Sequence, residues 1–167
     1  MLGQVFGSPF EADAQVAHLV RTGLADAVAT SDSDIYTFGS PMTLYGHFLG
    51  GKKAGSMVQW QKTCSPKINS MNLAEVVTMT CLTGCDYIPR LRGMSLTKAI
   101  ATTLSWRDKP ESEIQTDLAK LEEELSWPNT KGSNQELFPY KKNGPATGFV
   151  NRFHMARAAF MAHRVRL

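Results

Sequence analysis

SPFEADAQVAHLVRTGLADAVATSDSD, residues 8–34, is the stretch on which the fold class turns. Ser8 stands at an N-cap position, Pro9 at the first helical one, and Glu11 where its carboxylate closes a capping box. Phe10, Ala14 and Ala17 recur at helical spacing and Gly23 marks the stop. The run Ala25–Thr30 predicts a short buried strand, cut off by the polar Ser31-Asp32-Ser33-Asp34. Gln4-Val5-Phe6, just upstream, has room for another short strand. Strand, helix, strand in that order predicts a parallel α/β sheet.

Further along, residues 39–67 hold Gly46, Gly50, Gly51 and Gly55 with Lys52 and Lys53, show little periodicity, and read as an extended, partly mobile excursion. Asn72 caps the next expected helix, with Glu75 at the third helical position, apolar Leu73, Val76, Val77 and Cys81, and a stop at Gly84. A compact segment, Asp86 to Gly93, leads into a third helix over about Leu96–Leu104, with Gly93 where a tight turn needs it. Pro110 opens a helix striped by Ile114, Leu118, Leu121 and Leu125. Prolines and glycines make 126–148 a loop. The last helix carries Phe149, Phe153, Ala156, Phe160 and His163 on one face, with Arg152, Arg157, Arg164 and Arg166 beside it.

The 167 residues amount to one domain, or one with an appendage. At 43% hydrophobic and 20% charged the composition is that of a globular protein, neither disordered nor collagen-like. No run reaches the roughly 18 apolar residues of a membrane span, and no segment has the form of a signal peptide. Cys64, Cys81 and Cys85 have neither an even count nor zinc-ligand spacing, so a reducing compartment is expected. The net charge of +3 is too small to argue for a nucleic-acid partner. Trp60, Trp106 and Trp127 are too scattered for a base-stacking platform.

Chemistry enters with the carboxylates. Glu11-x-Asp13 lies at the mouth of the first helix, and Asp32-x-Asp34 just past the end of the expected strand. In an extended chain, residues two apart point the same way about 7 Å apart, which puts Asp32 and Asp34 on one site. Asp86 sits two residues beyond the Gly that ends a helix, at the negative end of its dipole, where a cation would relieve it. Five carboxylates drawn together repel unless divalent cations neutralise them, and hard oxygen ligands favour magnesium or manganese over zinc. Each acid also has a purely structural reading: Glu11 as a capping-box residue, Asp32 and Asp34 as turn residues bonding their own backbone, Asp86 as a partner of Arg90 or Arg92. A calcium loop fails, because Tyr36, Thr37 and Thr43 stand where an oxygen ligand, Gly and Glu are needed. A haloacid dehalogenase-type phosphatase, with Asp32 forming an aspartyl-phosphate, stays an outsider because its Thr comes one place late, at Thr37.

Three segments in order resemble one family: Pro9-Phe10-Glu11-Ala12-Asp13-Ala14-Gln15, Ala29-Thr30-Ser31-Asp32-Ser33-Asp34 with Phe38-Gly39, and Leu82-Thr83-Gly84-Cys85-Asp86-Tyr87 with Leu91-Arg92-Gly93. The family is that of the structure-specific 5′ nucleases, namely flap endonuclease, exonuclease-one and XPG, and the wording resembles the exonuclease-one branch most. The resemblance covers the carboxyl-side (XPG-I) half of such enzymes. It implies an α/β fold, an incomplete PIN-like (Rossmann-like) parallel sheet with helices, followed by a helix-two-turn-helix and C-terminal helices. The nuclease core would occupy 1–83, the DNA-binding segment 84–104, and a helical extension 105–167 with its loop at 126–148.

The resemblance further implies a Mg2+-dependent 5′ to 3′ exonuclease or 5′-flap endonuclease of DNA repair or replication, hydrolysing phosphodiesters with two Mg2+ ions, for which Mn2+ would substitute. Glu11 and Asp13 would serve the first metal, and Asp32, Asp34 and Asp86 the second or its waters. Arg90, Arg92, Gly93, Ser95 and Lys98 would grip the backbone of a 5′-flap, nicked or recessed-end duplex. Ser95 replaces a Gly usual in that turn and Thr97 a basic residue, which implies weakened duplex binding. A nuclear location follows from the resemblance alone. Family members carry a longer region ahead of the Glu-x-Asp motif, with a first catalytic Asp and a basic arch, so an N-terminally truncated form is expected. A catalytically inactive remnant that binds DNA or a protein partner is the alternative.

Overall fold

A computed structural model describes residues 7–8, 11–45, 56–59, 66–125 and 148–162. The chain divides into two units, Met1–Leu73 with Phe160–Leu167, and Ala74–Ala159.

In the first unit, helix α1 (Ala12–Arg21) buries Ala14, Gln15, Ala17 and Val20. Its N-cap is Glu11, in extended backbone, and not Ser8. The Ser8 hydroxyl donates to the Glu11 carbonyl at 2.8 Å. Gly23 ends α1 as expected, in the left-handed conformation (φ 74°). The Leu24 amide donates to Leu19 O at 2.9 Å and the Gly23 amide to Val20 O at 3.2 Å, the two bonds of a Schellman motif. The Ala25 amide also donates to Leu19 O, so the chain is still finishing the helix there. For that reason strand β1 is confined to Val28–Thr30, shorter than expected.

A four-residue helix not anticipated from the sequence, α2 (Asp34–Thr37), follows, burying Ile35 and Thr37. It too ends in a Schellman motif, with Gly39 at φ 76°. The Arg21 guanidinium donates to the Phe38 carbonyl, and the Phe38 ring packs at 5.0 Å on Phe160. Residues 39–67 are not one irregular excursion: they contain β2 (Met42–Tyr45), β3 (Ser56–Gln59) and the start of the short helix α3 (Pro66–Asn69). The β1–β2 pair is parallel, as expected, with Val28 opposite Thr43, while β3 runs antiparallel to β2. Thr43 is fully buried. Periodicity was hidden because each strand is four residues long and glycines fill the sequence between them. Gln4–Phe6, Pro9 and Phe10 lie outside the described residues.

The second unit holds α4 (Leu73–Thr83) from its second residue onward, α5 (Leu96–Ser105), α6 (Glu111–Glu124) and α7 (Phe149–Met161) as far as Ala159. Helix α4 buries Val76, Val77, Met79, Cys81 and Leu82 and stops at Gly84 (φ 90°). The Glu75 carboxylate is also buried and takes two hydrogen bonds from Arg107, at 2.6 and 3.1 Å. Between α4 and α5 the backbones of Cys85 and Ile88 exchange hydrogen bonds, and Ile88, Leu91 and Met94 are fully buried. That short apolar set anchors the segment between α4 and α5. Helix α6 follows Pro110 and buries Leu118, as its stripe predicts.

The core of this unit is aromatic. Phe149 and Phe153 are fully buried, 6.0 Å apart, with Phe153 edge-on to Trp106 at 6.5 Å. The Trp106 indole N–H donates to Asp117 Oδ2 at 3.0 Å, which satisfies its polar end. Glu122 Oε1 accepts the Phe149 amide at 2.7 Å and so caps α7. His163 and the loop at 126–147 lie outside the described residues.

Candidate functional site

Four of the five acids lie in the first unit, and the charges of Glu11 and Asp32 bear on Asp13. Glu11 is the N-cap of α1 and exposed; Asp13, in its first turn, is half-buried. The position suits a carboxylate, since the helix N-terminus carries partial positive charge. Asp32 is exposed just past the end of β1. Its amide donates to Thr30 Oγ1 at 3.0 Å, and its Oδ1 accepts the Asp34 amide at 2.9 Å. Asp34 is the first residue of α2 and half-buried.

The extended geometry expected of Asp32 and Asp34 is therefore absent, because Ser33 already has helical backbone angles (φ −78°, ψ −19°). What couples the two is a turn in which Asp32 bonds its own backbone two residues on, the structural reading of that pair. Thr30 was not anticipated; its signal in the sequence is a hydroxyl residue two places before Asp32.

Electrostatics tie α1 to the β1–α2 turn. The Asp13 carboxyl is held above its ordinary value of 3.8, first by burial, then by the charge of Asp32, then by that of Glu11. A raised carboxylate favours the protonated form in the fold. Its contribution to stability is complete below 3.8 and is lost as pH rises through the folded value, so at neutral pH the ionised group is a net cost. Asp13→Asn should therefore stabilise the protein at pH 7 in chelator, by under about 1 kcal/mol because the group is half in water, seen as a higher urea midpoint. The gain should vanish at pH 3.5, and equal midpoints at both pH values would contradict the like-charge contact.

A hard divalent cation suits this donor set in kind, being all carboxylate, and would relieve the repulsion at Asp13. Among the described residues of this unit no three acidic, His or Cys side chains already stand as a metal-holding group.

Asp86 belongs to the second unit, where it is exposed in the turn between Cys85 and Ile88. Arg90, one of its two possible partners, sends its Nε to Met94 O at 2.7 Å. Arg90, Arg92, Gly93, Ser95 and Lys98 are all exposed around the α5 N-terminus. Gly93 is left-handed (φ 84°). Ser95, in place of the glycine that the resemblance would put there, is the N-cap of α5, its Oγ accepting the Lys98 amide at 3.1 Å. Cys81 is buried and Cys85 half-buried, and neither is in a disulfide.

Comparison with known proteins places these motifs. The family described as XPG I-region matches residues 4–86, which include all five acids. Flap endonuclease 1 of Trypanosoma cruzi is 32% identical over 119 residues, covering 71% of this chain and 29% of that protein. Exonuclease 1 of Arabidopsis thaliana is 36% identical over 99 residues, covering 56% and 13%. The chain thus spans a third or less of the length of these curated relatives. Among solved structures, the flap endonuclease-1 of Methanococcus jannaschii aligns over 96% of this chain and 40% of its own, at TM-score 0.57 and 14% identity. The catalytic core of Rad2 in complex with DNA substrate aligns over 95% and 50%, at TM-score 0.61 and 20% identity, so both share the fold. By its I-region, the chain belongs to the XPG family, with flap endonuclease 1 and exonuclease 1 proteins among its relatives.

Proposed function

We propose that the chain is the carboxyl-side acidic half of a Mg2+-dependent, structure-specific 5′ DNA nuclease of repair or replication. The observation that carries this reading is that the charges of Asp32 and Glu11 both bear on the half-buried Asp13 carboxyl, inside the matched I-region. Glu11, Asp13, Asp32 and Asp34 would hold Mg2+ or Mn2+. The bound ions supply Lewis-acid stabilisation of a phosphodiester's developing charge. The chain's own part is to place the carboxylates at an α1 terminus and a β1–α2 turn. Arg92 and Lys98, exposed with the left-handed Gly93 before α5, would meet duplex phosphates, giving affinity without sequence reading. Substrates would be 5′-flap, nicked or recessed-end duplexes, in the nucleus, and the sequence wording favours the exonuclease-one branch.

The test incubates the chain with end-labelled 5′-flap and recessed-end duplexes, with and without Mg2+, beside the Asp32→Ala/Asp34→Ala double variant. Mg2+-dependent cleavage reduced at least about a hundredfold in the variant is the expected result, since removing metal ligands removes several kcal/mol of charge stabilisation. Cleavage unaffected by the variant, or a folded chain that neither cleaves DNA nor binds Mn2+, overturns the reading in favour of a remnant.

A further inference from the structure

We propose that Thr30 is a positioning residue for the Asp32 carboxylate, an inference that rests on Asp32 being a cation ligand as proposed above. Two consecutive side-chain to backbone bonds make the device. Thr30 Oγ1 accepts the Asp32 amide at 3.0 Å, and Asp32 Oδ1 accepts the Asp34 amide at 2.9 Å. The first bond fixes the backbone as the chain leaves β1; the second fixes the carboxylate against the start of α2. One carboxylate oxygen is thereby committed to the protein, and Oδ2 makes no hydrogen bond among the described residues. Charge from this carboxylate already bears on Asp13 across the site. A hydroxyl that orients a ligand through its amide does what outer-shell groups do at metal sites, where losing one weakens metal binding about tenfold to a hundredfold.

A purely structural Thr30 makes a different prediction. Valine has the same branched shape and at least equal preference for a strand, so Thr30→Val would then be neutral. The experiment measures Mn2+ affinity by electron paramagnetic resonance, and the hydrogen exchange of the Asp32 and Asp34 amides in the metal-free chain. Wild type, Thr30→Val, Thr30→Ser and the Asp32→Asn control are compared.

Positioning predicts that Thr30→Val binds Mn2+ about tenfold more weakly, exchanges both amides faster and melts within about a degree of wild type, while Thr30→Ser restores affinity and protection. Wild-type affinity and unchanged amide protection in Thr30→Val overturn it. A wild-type chain that binds no Mn2+ refutes the metal reading separately, and the amide exchange still decides whether Thr30 holds the Asp32 turn.

Discussion

Phe153→Ala is expected to destabilise the protein by about 4 kcal/mol, the range of a large aromatic truncated in a packed core. Phe153 is fully buried, lies edge-on to Trp106 and beside Phe149, and so joins α7 to the end of α5. Alanine would lose the transfer energy of the ring, leave a cavity, and forfeit edge-to-face contacts worth about 1 kcal/mol. Phe153→Leu, which refills most of the volume, should cost less than half as much. Urea unfolding followed by tryptophan fluorescence checks both, Trp106 being a direct neighbour; a loss below about 1 kcal/mol for the alanine variant would show that the ring is not core.

Gly84→Ala is expected to cost about 3 kcal/mol, for two reasons that add. At φ 90° a side chain adds about 1–2 kcal/mol of strain. A Cβ would also stand 2.6 Å from the Arg90 amide nitrogen and 2.8 Å from its Cα, backbone that cannot swing aside. Overpacking of that kind costs typically 1–3 kcal/mol. Gly93 separates the two terms: its φ is 84°, but the nearest atom to its Cβ would be a Leu125 methyl at 3.5 Å. Gly93→Ala should therefore show the conformational part alone, about 1 kcal/mol. Equal effects at the two sites, measured by the same urea titration, would mean that the approach of Arg90 to Gly84 is not tight.

Helix ends and stripes were the most legible part of the sequence, since each rests on local chemistry. Gly23 and Gly84 stop their helices in the left-handed conformation, Pro110 precedes α6, and the Phe149, Phe153, Ala156 and Phe160 face is buried. Ser8 misled because its spacing to Glu11 fits a capping box, whereas the helix starts at Ala12 with Glu11 as its N-cap. β2 and β3 escaped because four-residue strands owe their existence to pairing with each other and with β1, which no local pattern reports. At the site, the acidic motifs of Glu11, Asp13 and Asp32 stand in the sequence, but the electrostatic link between them does not. Nothing in the spacing from 13 to 32 says that α1 and the β1–α2 turn bring those charges together. Asp34 was assigned an extended neighbourhood, and the turn made by Asp32 replaced it with a helix.

The Glu75–Arg107 pair bears on how this sequence can drift. Glu75 is buried in the first turn of α4, and Arg107, just past α5, is the group that meets its carboxylate. Losing the arginine alone takes two charge-assisted hydrogen bonds from a buried carboxylate, whereas replacing both by apolar residues of matching volume is more tolerable. Two residues 32 positions apart are thus expected to change together. A divergent copy of this chain that changes position 75 should be found to have changed position 107 in the same lineage.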